Sequence, residues 1–250
     1  MATLSIPQIK PSTNGNNAPH IRFHYKFTFI DGTVKEFEVA LDAKTLSLVK
    51  ERKDSYPGWT RLSACKCPNC PLSEADHPRC PAAVNLADVV DFFKDSLSSE
   101  TVDVEITTAA RTYTKRTPLY SAVSGLVGLL MPASGCPMLE KLKPMVRTHL
   151  PFATLKETLY RMVSMYMMAQ YFQAKRGKAP DWRMTGLIKL LEDLRMVNRS
   201  FCERLYDICS EDATLNAVVH LDCFADNAIF FLQKKGLEEF ERSFVAHFRE

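Results

Sequence analysis

Apolar residues alternate with polar ones along the first half of the chain and recur at every third or fourth position from Pro118 onward, and the two periods demand different structures. From Ile21, the aromatic residues Phe23, Tyr25, Phe27 and Phe29 alternate with His24, Lys26 and Thr28, which places four rings on one face of a strand. Asp31-Gly32 marks a tight turn, and Phe37, Val39 and Leu41 resume the alternation on a returning strand. Leu46 and Leu48 open a further short element before the polar stretch ERKDSYPGW. Asn85 predicts the cap of a helix over 86–97 with Leu86, Val89, Val90 and Phe93 on its inner face. Val102, Val104 and Ile106 form another strand, which residues 111 to 115 extend or return.

Beyond Pro118 the pattern is helical. Thr154 and Glu157 form a capping box, and the helix they start runs to Gly177, ahead of Pro180. Glu157 and Arg161, one turn apart, form an intrahelical ion pair by default. A second helix follows Asp181, with Leu187, Leu191, Leu194, Val197, Phe201, Leu205 and Ile208 on one stripe, a third covers about 212 to 235, and a short one spans 237–248. The expected class is therefore α+β: a tail over 1–20, a strand-rich unit over 21–117, and a helical bundle over 118–250 packed against it.

The balance of 32 Lys and Arg against 29 Asp and Glu gives a net charge of +3, too small for a dedicated nucleic-acid binder. The run Arg111-Thr-Tyr-Thr-Lys-Arg116 reads as a strand with a solvated face, and no nucleic-acid partner is expected. Leu119 to Leu139 carries no charge, but its apolar part ends near Met131, about 13 residues where a span needs about 20, so a buried helix running into a loop is expected and no membrane span. The N-terminus lacks a secretory pattern, which implies a cytoplasmic chain with reduced thiols.

Against that background the eight cysteines stand out. Cys67, Cys70, Cys80 and Cys136 are each followed directly by proline, where 14 Pro in 250 residues predict fewer than one such pair. Proline after a ligating cysteine fixes a backbone dihedral and stiffens the turn that presents the sulfur. Cys67-Pro-Asn-Cys70 has the spacing that lets two thiolates reach one ion from a single loop. Four such thiolates fit a tetrahedral zinc or an iron-sulfur cluster, and the ligand types do not separate the two. Cys65, His77 and His149 are the substitutes should one of the four not ligate. Haem held by a Cys-Pro thiolate, with His149 or a methionine opposite, is a weaker fit that needs an apolar pocket near Met138 and Met145. The competing reading is a set of unliganded loop cysteines with proline as turn punctuation.

Cys202, Cys209 and Cys223 fall within helical periodicity and read as small core residues, with His220 and Cys223 a possible second ligand pair. Met162, Met165, Met167 and Met168 read as adaptable packing or a partner groove rather than a copper site. Phosphate-loop, dinucleotide and hydrolase signatures are absent. Arg161, Glu192, Asn198 and Arg204 are polar positions within helices whose convergence the spacing does not fix.

The segments CPNCPL at 67 to 72, CPAAVNL at 80 to 86, SGCPM at 134 to 138, HLPFAT at 149 to 154 and the later SMYMMAQYF together resemble an uncharacterised bacterial family, a domain of unknown function, over about residues 22 to 230. The resemblance implies a soluble bacterial protein in which Cys67, Cys70, Cys80 and Cys136 lie in signature segments, and it implies no reaction. The functional expectation is a metal- or iron-sulfur-binding redox or regulatory module. An interaction protein working through the Met-rich helix is the alternative. An enzyme would need a pocket lined by His149, Glu157 and Arg161.

Overall fold

A computed structural model describes residues 19–249 apart from Arg52 and Lys235. The tail expected over 1–20 therefore lies, save for Pro19 and His20, outside the described residues. Strands β1 (His20–Phe29) and β2 (Val34–Asp42) form the expected hairpin. Its turn is closed by Asp31, whose carboxylate accepts from the Thr33 amide at 2.8 Å, and by Gly32 at φ +87°. Strands β3 (Thr101–Thr108) and β4 (Thr112–Pro118) complete an antiparallel sheet of order β2-β1-β3-β4, so residues 111 to 115 return rather than extend. Tyr25 lies opposite Phe37 on one side and Ile106 on the other, and Phe23, Phe27, Val39, Leu41, Val102 and Val104 join it on the buried face. Leu48 makes only an isolated bridge to Leu41.

Helix α1 spans Pro81–Phe93 rather than 86–97. Pro81 sits at its first turn, where a missing N–H costs nothing and the fixed φ suits a helix, so a proline that looks like loop punctuation is a helix start. Asn85 lies inside the helix, and its side-chain amide donates to the carbonyls of Pro81 at 2.9 Å and Ser134 at 3.1 Å. Phe93, fully buried, packs edge-on to Phe27 with ring centres 5.1 Å apart and closes α1 onto the sheet.

The remaining elements are α2 (Leu119–Ala133), α3 (Lys143–Arg147), α4 (Leu155–Lys175), α5 (Thr185–Tyr206), α6 (Ala213–Gln233) and α7 (Leu237–Glu241), the last followed by a 3-10 turn over Arg242–Phe248 where a single short helix was expected. Helix α2 follows β4 without a loop and buries most of its side chains. It packs on α6, which packs in turn on α5. The last pair is tied by Arg195, which meets Asp222 at 3.3 Å and also Asp226. Helix α6 is the one helix among the described residues that is long and apolar enough, by length and composition, to cross a membrane. Buried residues from Phe23 in the sheet to Ala228 in α6 form one contiguous core.

Helix α4 carries the expected capping box: the Glu157 amide donates to Thr154 Oγ1, and the Thr154 amide donates to Glu157 Oε2 at 2.7 Å. That use of Glu157 overturns the expected ion pair with Arg161, whose Nη2 donates instead to the carbonyls of Met145 at 3.0 Å and Thr148 at 2.6 Å. Only Leu159 and Met162 of α4 are buried.

Candidate functional site

The four Cys-Pro cysteines come from three separate segments and line one cavity of about 20 Å³, with Cys65 beside them. Cys67 and Cys70 sit in the irregular stretch between the 3-10 turn Gly58–Thr60 and α1, where the Cys70 amide donates to the Cys67 carbonyl at 3.0 Å and closes a tight turn. Cys80 is the residue before α1, its own amide held by the Thr60 carbonyl at 2.8 Å. Cys136 follows the end of α2 and is presented by Gly135 at φ +87°, a conformation open to glycine at no steric cost. The Cys136 carbonyl accepts from the Leu139 and Glu140 amides, which fixes the turn beyond it.

A loop of some twenty residues without regular structure needs another source of order, and here it is Arg204 of α5. Arg204 is buried, and its guanidinium donates to the carbonyls of Trp59, Arg61 and Cys65, the Arg61 bond being 2.7 Å. No carboxylate pairs with it among the described residues. Asn69 adds a second tie by donating to the Asp193 carbonyl at 3.1 Å, while its Oδ1 is buried without a partner. Cys65 Sγ donates to the Ser200 carbonyl at 3.1 Å.

Burial is the main cause that pushes the Cys67 thiol up to about 11, with the neighbouring Cys80 adding to it. Burial also raises Cys136, and it raises Cys65 against the opposing pull of Arg204. All three shifts favour the thiol over the thiolate at neutral pH. Among the described residues no three His, Cys, Asp or Glu side chains are gathered as a metal-holding group. The cysteines share a cavity without yet converging on a common point.

Of the three substitutes, Cys65 lines the cavity. His77 is exposed on the loop and does not line it. His149 lies elsewhere, with Nε2 2.8 Å from the buried Tyr25 hydroxyl. Met138 lines the cysteine cavity and Met145 a different one, so the two do not frame a single haem pocket. Cys223 is exposed rather than a core residue, and Cys202 and Cys209 are partly buried. His220 Nδ1 is 3.1 Å from Ser124 Oγ, which gives it a hydrogen-bond partner without a metal.

The second cavity, about 530 Å³, is bounded by α2, the segment before α4, and α4, α5 and α6. His149, Arg161 and Asn198 line it, and Glu157 and Glu192 do not. Arg204 thus belongs to the cysteine cavity and Asn198, nearly two turns earlier on α5, to the other. That division of α5 between two sites is invisible in a residue pattern that reads both as polar interruptions of an apolar stripe.

A family model described as a domain of unknown function (DUF6901) matches residues 23–245. No curated protein and no solved structure matches the chain.

Proposed function

The chain belongs to the DUF6901 family, a domain of unknown function, and we propose from its own residues that it is a metal-binding protein whose site is Cys67, Cys70, Cys80 and Cys136. The observation that carries the reading is that four Cys-Pro cysteines, from three segments far apart in sequence, line one cavity. Its volume suits a single ion, since about 10–15 Å³ on this measure already admits a water molecule. A tetrahedral zinc fits that space, and an iron-sulfur cluster requires the 61–80 loop to open. Binding draws the thiols inward and displaces their protons, so it is coupled to ordering of the loop. Four thiolates around a divalent ion leave a net negative charge, and the unpaired Arg204 guanidinium beside the cavity offsets it.

The experiment is metal analysis with an absorption spectrum on protein purified without oxygen, beside a Cys70→Ser variant. About one zinc per chain in a colourless sample supports the structural ion, and iron with sulfide and broad visible absorption supports the cluster. Metal retained in full by Cys70→Ser, or none after reconstitution of the parent, overturns the assignment.

A second reading rests on α4, which exposes Tyr160, Met168, Tyr171 and Phe172 while burying only two residues. An apolar face of that kind suits a protein partner. On that reading partner binding survives Cys70→Ser and is lost on Met168→Glu.

A further inference from the structure

We infer that the 530 Å³ cavity is a binding site for a small amphipathic carboxylate, an apolar body carrying one anionic group. Its volume lies within the range of small-molecule sites, about 300–1,000 Å³. Its walls are mostly apolar, and the formally charged residues among them are Lys115 and Arg161, both cationic, with no Asp or Glu. Arg161 is half-buried and uses only Nη2, on two backbone carbonyls; Nη1 and Nε have no partner among the described residues. The nearby Glu157 carboxylate acts on this charge through space but makes no ion-pair contact with it, being spent on the cap of α4, and a carboxylate is the planar group that matches the guanidinium's spare donors.

Three further features agree. His149 Nε2 lies 2.8 Å from the buried Tyr25 hydroxyl, and the ring lines the cavity as a further polar group able to donate or accept. Phe152, also on the wall, is held at φ +59°, a conformation that costs a non-glycine residue of order 1 kcal/mol and that marks a constrained segment. Finally, α2 carries Gly125 and Gly128 in mid-helix on the cavity side, each less favourable there than alanine. A Cβ at Gly125 meets nothing within 4 Å, so sterics do not demand glycine there; the absent side chain leaves room for an occupant.

The test is titration calorimetry of the full chain with decanoate, and with methyl decanoate as the neutral probe of equal apolar body. The expected result is saturable decanoate binding, about one per chain, at least tenfold tighter than the ester. Arg161→Gln then weakens decanoate by about ten- to a hundredfold, the worth of a hydrogen bond to a charged group, and leaves the ester unchanged. Because Arg161 also holds the Met145 and Thr148 carbonyls, two variants that spare those bonds back it up. Lys115→Gln, on an exposed strand position, weakens decanoate selectively, and Gly125→Leu projects a side chain into part of the cavity and weakens binding of both probes. Equal affinity for acid and ester, or no saturable binding of either, overturns the inference. So does decanoate binding that Gly125→Leu leaves unchanged.

Discussion

Acidification destabilises this protein mainly through one partly buried imidazole. His149 is driven down from its ordinary value of 6.5 to about 3, first because burial penalises the imidazolium and then because Arg161 repels it. The unfolded chain takes up this proton near 6.5 and the folded chain only near 3. Between those values the unfolded state binds more protons, so stability rises with pH: the contribution is complete above 6.5 and is lost as pH falls through the window. Each unit is worth about 1.4 kcal/mol. At pH 5, one and a half units below 6.5, the loss is about 2 kcal/mol, a sizeable part of a domain's total of about 5–15 kcal/mol. His220, lowered in the same direction by burial, adds to the slope, so the contrast that isolates His149 is with His149→Gln, which keeps a partner for Tyr25 and cannot titrate. Urea unfolding of both proteins at pH 7 and at pH 5 should show the parent losing about 2 kcal/mol more than the variant. Equal losses, or a His149 ring signal in proton NMR that titrates near 6.5, would refute the reasoning.

Three further outcomes are expected. Arg204→Met leaves the carbonyls of Trp59, Arg61 and Cys65 without their donor, at about 1–3 kcal/mol for each buried group, so urea unfolding should register a loss of about 3 kcal/mol or more together with reduced metal occupancy. Gly135→Ala forces a Cβ into φ +87° and costs about 1 kcal/mol, and because it re-aims Cys136 it should weaken metal retention against a chelator, while Gly58→Ala, where a Cβ meets nothing and φ is not positive, should not. Thr154→Ala removes the N-cap of α4 and should lower stability by about 1 kcal/mol in a thermal melt followed by circular dichroism, leaving metal content unchanged.

The hairpin, the β3 strand and the three long helices after residue 150 are legible in the sequence because each rests on a local signal that tertiary structure has no reason to override: alternation, a turn glycine, a capping box, an apolar stripe. Helix α1 is displaced because Pro81 carries two meanings. Next to a cysteine in a proline-rich run it reads as a breaker, and only the position of Cys80, held by the Thr60 carbonyl, makes it the first residue of a helix. The Glu157–Arg161 pair fails for a related reason: the spacing is right, but Glu157 is spent on the cap and Arg161 on carbonyls of the preceding segment, neither of which a helical wheel contains.

The two cavities differ in legibility for a reason that concerns what a sequence can encode. The cysteine cavity is written in residue types, since four cysteines each with proline beside it leave a compositional excess. Arg204, which fixes the loop, leaves no such mark, because its partners are backbone carbonyls and every residue has one. The larger cavity is made of what is missing: a Cβ at Gly125 and partners for the spare donors of Arg161. Its only positive traces are HLPFAT, which contributes His149 and Phe152 to the wall, and mid-helix glycines in an uncharged stretch. A helix that accepts the cost of Gly125 with open space above it has its side chain omitted for the benefit of something outside the helix. The same cavity is lined by a cation with donors unused, and for that reason the larger cavity, rather than the exposed face of α4, is where a small molecule should be sought.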